Sequence, residues 1–266
     1  MNYIYQKIFN LENKNIIITG ANGFLGSYFS KLLSKCGSNL YLVDKDLNKI
    51  KKELKKYKKA YFDKADITSK KNCKKIIDNS IKKLKKIDIL INCAAINASL
   101  SNQKITFEKY PEKFWKSSLN TNLNSAFYLS QYIGNHFLKN GKGKIIFIGS
   151  HYSVVAPDQT LYLDKKGKQS FIKSPDYIVS KFGLVGLTKY LASYYSGKNI
   201  TVNMLSPTSI KNNENLEFLK NFSKKTPARR MSKIDEYSGP ILFLCSDSSS
   251  YVNGFNLLVD GGLTST

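Results

Sequence analysis

The stretch Tyr177-Ile178-Val179-Ser180-Lys181 places a phenol and an ammonium four residues apart. On a helix, residues i and i+4 share a face, so both groups would point into one space. A free tyrosine titrates near ~10 and a free lysine near ~10.4, which makes the phenol alone a poor proton carrier at neutral pH. A fixed positive charge close by favours the phenolate. At about 4 Å and an effective dielectric of ~20 the attraction is ~4 kcal/mol. That corresponds to roughly three pKa units at ~1.36 kcal/mol each, with desolvation of the phenol opposing it. The expectation is a tyrosine drawn toward the pH at which a general acid–base works best. In a chain with 17 tyrosines and 42 basic residues the pair also arises by chance. The elements around it must therefore decide what it is.

Asn15-Ile16-Ile17-Ile18-Thr19 is a β-branched run that reads as a buried parallel strand. It leads into Gly20-Ala21-Asn22-Gly23-Phe24-Leu25-Gly26 and then an apolar-periodic helix to about Cys36. A glycine-rich turn between strand and helix suits a diphosphate. Glycine permits the tight turn and close approach, and the helix start offers free N–H groups and a positive dipole end. A second strand, Asn39 to Val43, ends at Asp44. A carboxylate at this distance from the glycines fits a ribose 2′-hydroxyl and repels a 2′-phosphate, favouring NAD over NADP. Asp44 could equally cap the next helix, and Lys45 beside it could tolerate a phosphate.

Ala60-Tyr61-Phe62 is a third strand, with Asp66-Ile67 beyond its end where an adenine could lie. Thr68 or Ser69 caps a long helix to about Lys86. Ile87 to Ile91 is a fourth strand running into Asn92-Cys93-Ala94-Ala95, small residues that let backbone approach a ligand. One long helix is expected from Pro111 to Lys139, carrying Asn120-Thr121-Asn122. Lys144 to Ile148 is a fifth strand closed by Gly149-Ser150. An irregular stretch, about 151–176, reads as a loop insertion beside the site, after which a helix carries Tyr177 and Lys181. Asn199 to Leu205 is a sixth strand closed by Ser206-Pro207. Residues 208–230 read as a flexible cover, Asp235 to Ser246 as a helix, and Gly254 to Val259 as a last strand. Alternating strands and helices predict an α/β, doubly wound parallel sheet, a Rossmann fold in a single domain over 1–266. Ligands of such sheets bind beyond the strand carboxyl ends, where Gly20, Asp44, Asp66, Asn92 and Ser150 all fall.

The 42 basic against 19 acidic residues leave a net charge of +23, which invites a nucleic-acid reading. Yet all but Arg229 and Arg230 are lysines, clustered on amphipathic stretches, as expected of solvated helix faces. No nucleic-acid partner and no membrane partner are expected. No apolar run reaches the ~18–20 residues of a membrane span, and the start lacks the pattern of a signal peptide, so the expected location is cytoplasmic. Four scattered cysteines and two histidines predict neither a metal site nor a disulfide framework.

With these motifs in order, the chain resembles the short-chain dehydrogenase/reductase family over essentially its whole length. The resemblance implies roles. Tyr177 would exchange the proton with the substrate oxygen, and Lys181 would lower its pKa and hold the nicotinamide ribose. Ser150 would hydrogen-bond the oxygen where charge develops, and Asn122 would hold a water leading from Lys181 to solvent. Gly20, Asn22, Gly23, Phe24, Leu25, Gly26, Asp44, Asp66, Ile67, Asn92, Ala94, Tyr177, Lys181, Pro207 and Ile210 would line the cofactor. A homodimer or homotetramer through the two long helices is also implied. Phe24 and the glycine spacing look like the family's extended branch of sugar-nucleotide epimerases and dehydratases. Ala95, and Thr208 after Pro207, replace the family's usual glycines. The interval from Ser150 to Tyr177 is about twice the usual length, which would bring Tyr152, Asp158, Tyr162 and Lys165 to the substrate.

The function expected is an NAD-dependent oxidoreductase acting on a hydroxyl or ketone of a small polar substrate, such as a sugar or sugar derivative. The alternatives are an NADPH-dependent 3-oxoacyl reductase, an epimerase or dehydratase with retained NAD, and a basic binding protein without catalysis.

Overall fold

The β-branched runs form one seven-stranded sheet in the computed structural model, which describes residues 8–57, 59–97, 105–169, 171–212 and 216–265. Its strands are β1 (Asn15–Thr19), β2 (Asn39–Asp44), β3 (Ala60–Lys64), β4 (Ile89–Asn92), β5 (Gly143–Ile148), β6 (Ile200–Pro207) and β7 (Asn256–Val259). They lie in the order β3-β2-β1-β4-β5-β6-β7, every neighbour pairing parallel. The chain winds outward from β1 in one direction and from β4 in the other. The crevice between the carboxyl ends of these two strands is where such sheets take ligands.

Helices cover both faces: α1 (Phe24–Lys35), α2 (Asn48–Leu54), α3 (Lys70–Leu84), α4 (Glu112–Leu119), α5 (Ser125–Asn140), α6 (Pro175–Tyr194), α7 (Leu216–Lys225) and α8 (Ser238–Cys245). Strand alternation divides the core in two. Ile16 and Ile18 join Phe29, Leu33, Ile50 and Leu244 from α1, α2 and α8. Ile17 joins Ile76, Leu129, Phe137 and Leu184 from α3, α5 and α6 on the other face. Burial on both faces explains why the strands read as continuous apolar runs. Ser69 caps α3, its Oγ accepting from the Asn72 N–H at 3.3 Å. Among the described residues no helix is long and apolar enough to cross a membrane.

Two expectations shift. The long helix expected over 111–139 is α4 and α5 joined through a π turn at Asn120–Asn124, within the polar run that holds the buried Asn122. Strand β4 starts at Ile89 because the Ile87 N–H donates to His136 Nε2 at 3.0 Å instead of to a neighbouring strand. Within 208–230, where short helical pieces are expected, lies α7, whose Phe222 is fully buried against Leu161 and Met231. Residues 213–215 of that segment lie outside the described residues. The 151–176 insertion holds two 3-10 turns, His151–Ser153 and Gln159–Tyr162, and a bridge between Leu163 and Gln169. It is stapled to α7 by Tyr162 stacked on Phe218, with ring centroids 5.4 Å apart.

Candidate active site

The turn after β1 is shaped by exclusion of side chains. Gly20 has φ +66°, and a Cβ there would lie 2.6 Å from the Ala94 Cα. A Cβ on Gly26 would lie 2.0 Å from the Gly20 carbonyl oxygen. Gly23 at the start of α1 offers no side-chain cap, so the first N–H groups of the helix remain available to an anion. This backbone cradle fits the diphosphate of a dinucleotide.

Asp44 closes β2 with one carboxylate oxygen accepting the Asn22 N–H at 2.9 Å and the other the Asp46 N–H at 3.3 Å. Lys45 turns away from it to an ion pair with Asp66 at 3.1 Å. A cavity of about 680 Å³ runs from the glycine turn and Asp44 past Ile67 and Ala94 to Ser150, Tyr177, Lys181, Pro207 and Ile210. That volume lies within the ~300–1,000 Å³ of ordinary ligand pockets.

Pro175, preset in φ for the first turn of a helix, begins α6 and brings Tyr177 and Lys181 to the cavity. Ser150, just beyond β5, lines the cavity beside the Tyr177 phenol and acts to lower its pKa. The Lys181 ammonium donates to the Ile148 carbonyl at 2.8 Å and lies 5.5 Å from the centre of the Tyr177 ring. The expected drop in the tyrosine's pKa is corrected here. Burial pushes the phenol up to about 12, with the Ser150 hydrogen bond opposing. Burial also lowers Lys181 to about 8. Desolvation of the buried phenol is the largest effect and disfavours its charged form.

Gly20, Asn22, Gly23, Phe24, Leu25, Gly26, Asp44, Ile67, Ala94, Ser150, Tyr177, Lys181, Pro207 and Ile210 come together around this cavity as expected. Three side chains do other work. The Asp66 carboxylate accepts from Thr68 N–H and hydroxyl and pairs with Lys45, leaving Ala65 and Ile67 to line the cavity. Asn92 Oδ1 accepts the Thr19 hydroxyl at 2.8 Å, a buried tie between β1 and β4, and Cys93 to Ile96 line the cavity beyond it. Asn122 clamps Ile96, accepting its N–H at 2.8 Å and donating to its carbonyl at 3.0 Å, with a further donation to Ser180 at 3.1 Å. Its side-chain amide is thus committed to the Ile96 backbone, Ser118 and Ser180.

The insertion also departs from expectation. Asp158 and Lys165 face α7, paired with Lys225 at 2.9 Å and Glu217 at 3.9 Å. Tyr152 lines the cavity, and its hydroxyl meets that of Tyr162 at 3.1 Å behind it. Two titratable lining groups were not foreseen. Lys173 is nearly buried, and burial lowers it to about 8. His151 is buried with its ring 3.9 Å from that of Tyr152, and burial lowers it to about 4. The only signals in the sequence were adjacency to Ser150 for His151, and a place four residues before Tyr177 for Lys173.

A glycine cradle at the switch point, an acid ending β2 and a serine–tyrosine–lysine group at the end of β5 form one arrangement. A family model described as enoyl-(acyl carrier protein) reductase matches residues 21–264. The chain belongs to the short-chain dehydrogenase/reductase family. It is similar to an NAD-dependent glycerol dehydrogenase of Listeria innocua, with 32% identity over 98% of this chain and 97% of that protein. A 3-oxoacyl-(acyl-carrier-protein) reductase of Buchnera aphidicola is 35% identical over 94% and 97% of the two chains. A 2-dehydro-3-deoxy-D-gluconate 5-dehydrogenase of Dickeya dadantii is 30% identical over 96% of each. Among solved structures, a short-chain dehydrogenase from Leptospira borgpetersenii with bound NAD+ superposes with a TM-score of 0.84 at 31% identity, covering 99% and 96%. This short-chain dehydrogenase/reductase is an NAD(P)-dependent oxidoreductase.

Proposed function

We propose that the enzyme uses NAD and moves a hydride between the nicotinamide and a hydroxyl or ketone carbon of a small polyhydroxylated substrate. The observation that carries this reading is the meeting of Ser150, Tyr177 and Lys181 at the far end of a cavity whose other end is the glycine cradle and Asp44. When bound, the cofactor supplies the hydride acceptor or donor. The protein's part is to hold the substrate oxygen and move its proton. Ser150 and the Tyr177 phenol bracket one oxygen. Tyr177 would donate its proton to a carbonyl oxygen as it is reduced and, as phenolate, would take that proton back when a hydroxyl is oxidised. Asp44, Pro207 and Ile210 line the part of the cavity that would hold the cofactor, and Lys181 would hold its ribose.

Asp44 favours NAD, since a 2′-phosphate would meet a carboxylate whose neighbouring lysine is engaged by Asp66. The polar wall of His151, Tyr152 and Lys173 favours a hydroxylated substrate over an acyl chain. The Listeria relative's name agrees with this, while the Buchnera relative's name keeps a 3-oxoacyl substrate as the competing outcome. The reading includes a cytoplasmic enzyme. It also includes a homodimer or homotetramer docked through α5 and α6, whose outer faces expose Phe127, Tyr190 and Tyr194. Initial rates with NAD+ and NADP+ across polyols, aldonates and ketoses, and with NADH and NADPH on a 3-oxoacyl thioester, provide the test. NAD-linked turnover of a hydroxylated compound is expected. Exclusive NADPH-linked turnover of the thioester would overturn it.

A further inference from the structure

We infer that Lys173 selects the substrate by binding a carboxylate, so that the compounds turned over are sugar-derived hydroxy or oxo acids rather than neutral polyols. This deepens the oxidoreductase reading and rests on it. Lys173 is 9% exposed and lines the cavity together with Ser150 and Tyr177. Its ammonium lies 4.4 Å from the centre of the Tyr177 ring and 5.4 Å from that of Tyr152, directly over the phenol placed to act on the substrate oxygen. It is held there by the insertion. The Lys173 N–H donates to Gln159 Oε1 at 3.0 Å, and its carbonyl accepts from Gln159 Nε2 at 3.3 Å. Gln169 Nε2 fastens the Gln159 carbonyl in turn at 2.9 Å.

The ammonium has no carboxylate partner within ion-pair distance among the described residues. Asp176, the acid that acts on it electrostatically, accepts the Tyr110 hydroxyl at 2.9 Å instead. Asp176 is fully buried with its second oxygen unpartnered and offsets part of this charge from a distance, while the ammonium itself packs on the Tyr152 and Tyr177 rings; a ligand anion in the cavity relieves the remaining desolvation. Lys181 already donates to Ile148, and on the reading above its remaining donors serve the cofactor's ribose, which leaves Lys173 as the cation for the substrate. One ammonium matches the single charge of a carboxylate, whereas a phosphate monoester would leave charge uncompensated. The insertion therefore delivers a charge, and with it a substrate class, to a site whose chemistry is set by β5 and α6.

The test uses the full chain saturated with NAD and titrated by calorimetry with paired probes: D-gluconate and D-glucitol, D-xylonate and xylitol. In the wild type we expect at least one aldonate to bind about 10- to 100-fold more tightly than its alditol, the range of a charge-assisted contact. That preference should fall with added salt, vanish in Lys173→Met and persist in Lys173→Arg. Alditol affinity should change far less than aldonate affinity in Lys173→Met. Equal affinity for acid and alcohol in the wild type would overturn the proposal. So would equal weakening of both in Lys173→Met, which marks lost packing, or tighter binding of glycerol 3-phosphate than of every aldonate. Nicotinamide reduction measured in parallel separates the two claims. An aldonate preference that depends on Lys173, without turnover of any hydroxylated compound, would sustain the anion site and sink the oxidoreductase reading.

Discussion

At Tyr177, burial and hydrogen bonding act in opposite directions. Burial raises the phenol to about 12 while the Ser150 hydroxyl holds it down, so the group enters catalysis as an acid. The tyrosine, the lysine and Ser150 were legible in the sequence because helical spacing and a strand end place them without reference to the rest of the fold. Lys173 and His151 were not, because their burial is created by an irregular segment folding back onto the site. His151 carries a consequence for stability. Its folded pKa is about 4, below the 6.5 of an exposed histidine. As pH falls through that window the unfolded chain binds the proton first. The stabilisation is present above pH ~6.5 and is lost as pH falls toward ~4, by about 2–3 kcal/mol at pH ~4.5. Urea denaturation near pH 7 and pH 4.5 should show a smaller loss in His151→Gln than in wild type by that amount. Equal losses would refute a buried neutral histidine.

Among the elements, the π turn between α4 and α5 links the catalytic helix to the loop after β4. Asn122 satisfies both backbone groups of Ile96 and reaches Ser180 on α6. Removing its amide leaves buried donors and acceptors unpaired, a cost of about 1–3 kcal/mol for each group. Asn122→Ala should lower the denaturation midpoint accordingly and weaken NAD binding, because Ile96 lines the cavity. An unshifted midpoint would show that the clamp carries no strain of this kind. The strands and the glycine turn were readable because β-branched runs and glycines restrict the backbone wherever they stand. The π turn was not, since its extra residue barely disturbs the apolar period. The late start of β4 depends on His136, a residue from a distant helix.

For the whole molecule, the order of strands puts the end of β2 and the end of β5 on the same edge of the sheet, so one cavity joins cofactor and substrate ends. The alternation of elements made this topology legible. The packing of α7 against the insertion was not, because it rests on a small third core around Phe222. Cofactor choice belongs to this scale. Asp44→Ala should weaken NAD and improve NADP, shifting the ratio of kcat/KM values toward NADP by about 10-fold or more if one repelled phosphate is relieved. An unchanged ratio would place the choice elsewhere. The reading as a whole depends on Tyr177 moving the proton without holding the cofactor. Turnover of the best substrate from the rate screen, measured beside NAD binding by calorimetry in wild type and Tyr177→Phe, separates those roles. We predict a fall in kcat of at least ~10²-fold, the usual reach of a positioned general acid, with NAD affinity unchanged. Full turnover in Tyr177→Phe would contradict the account.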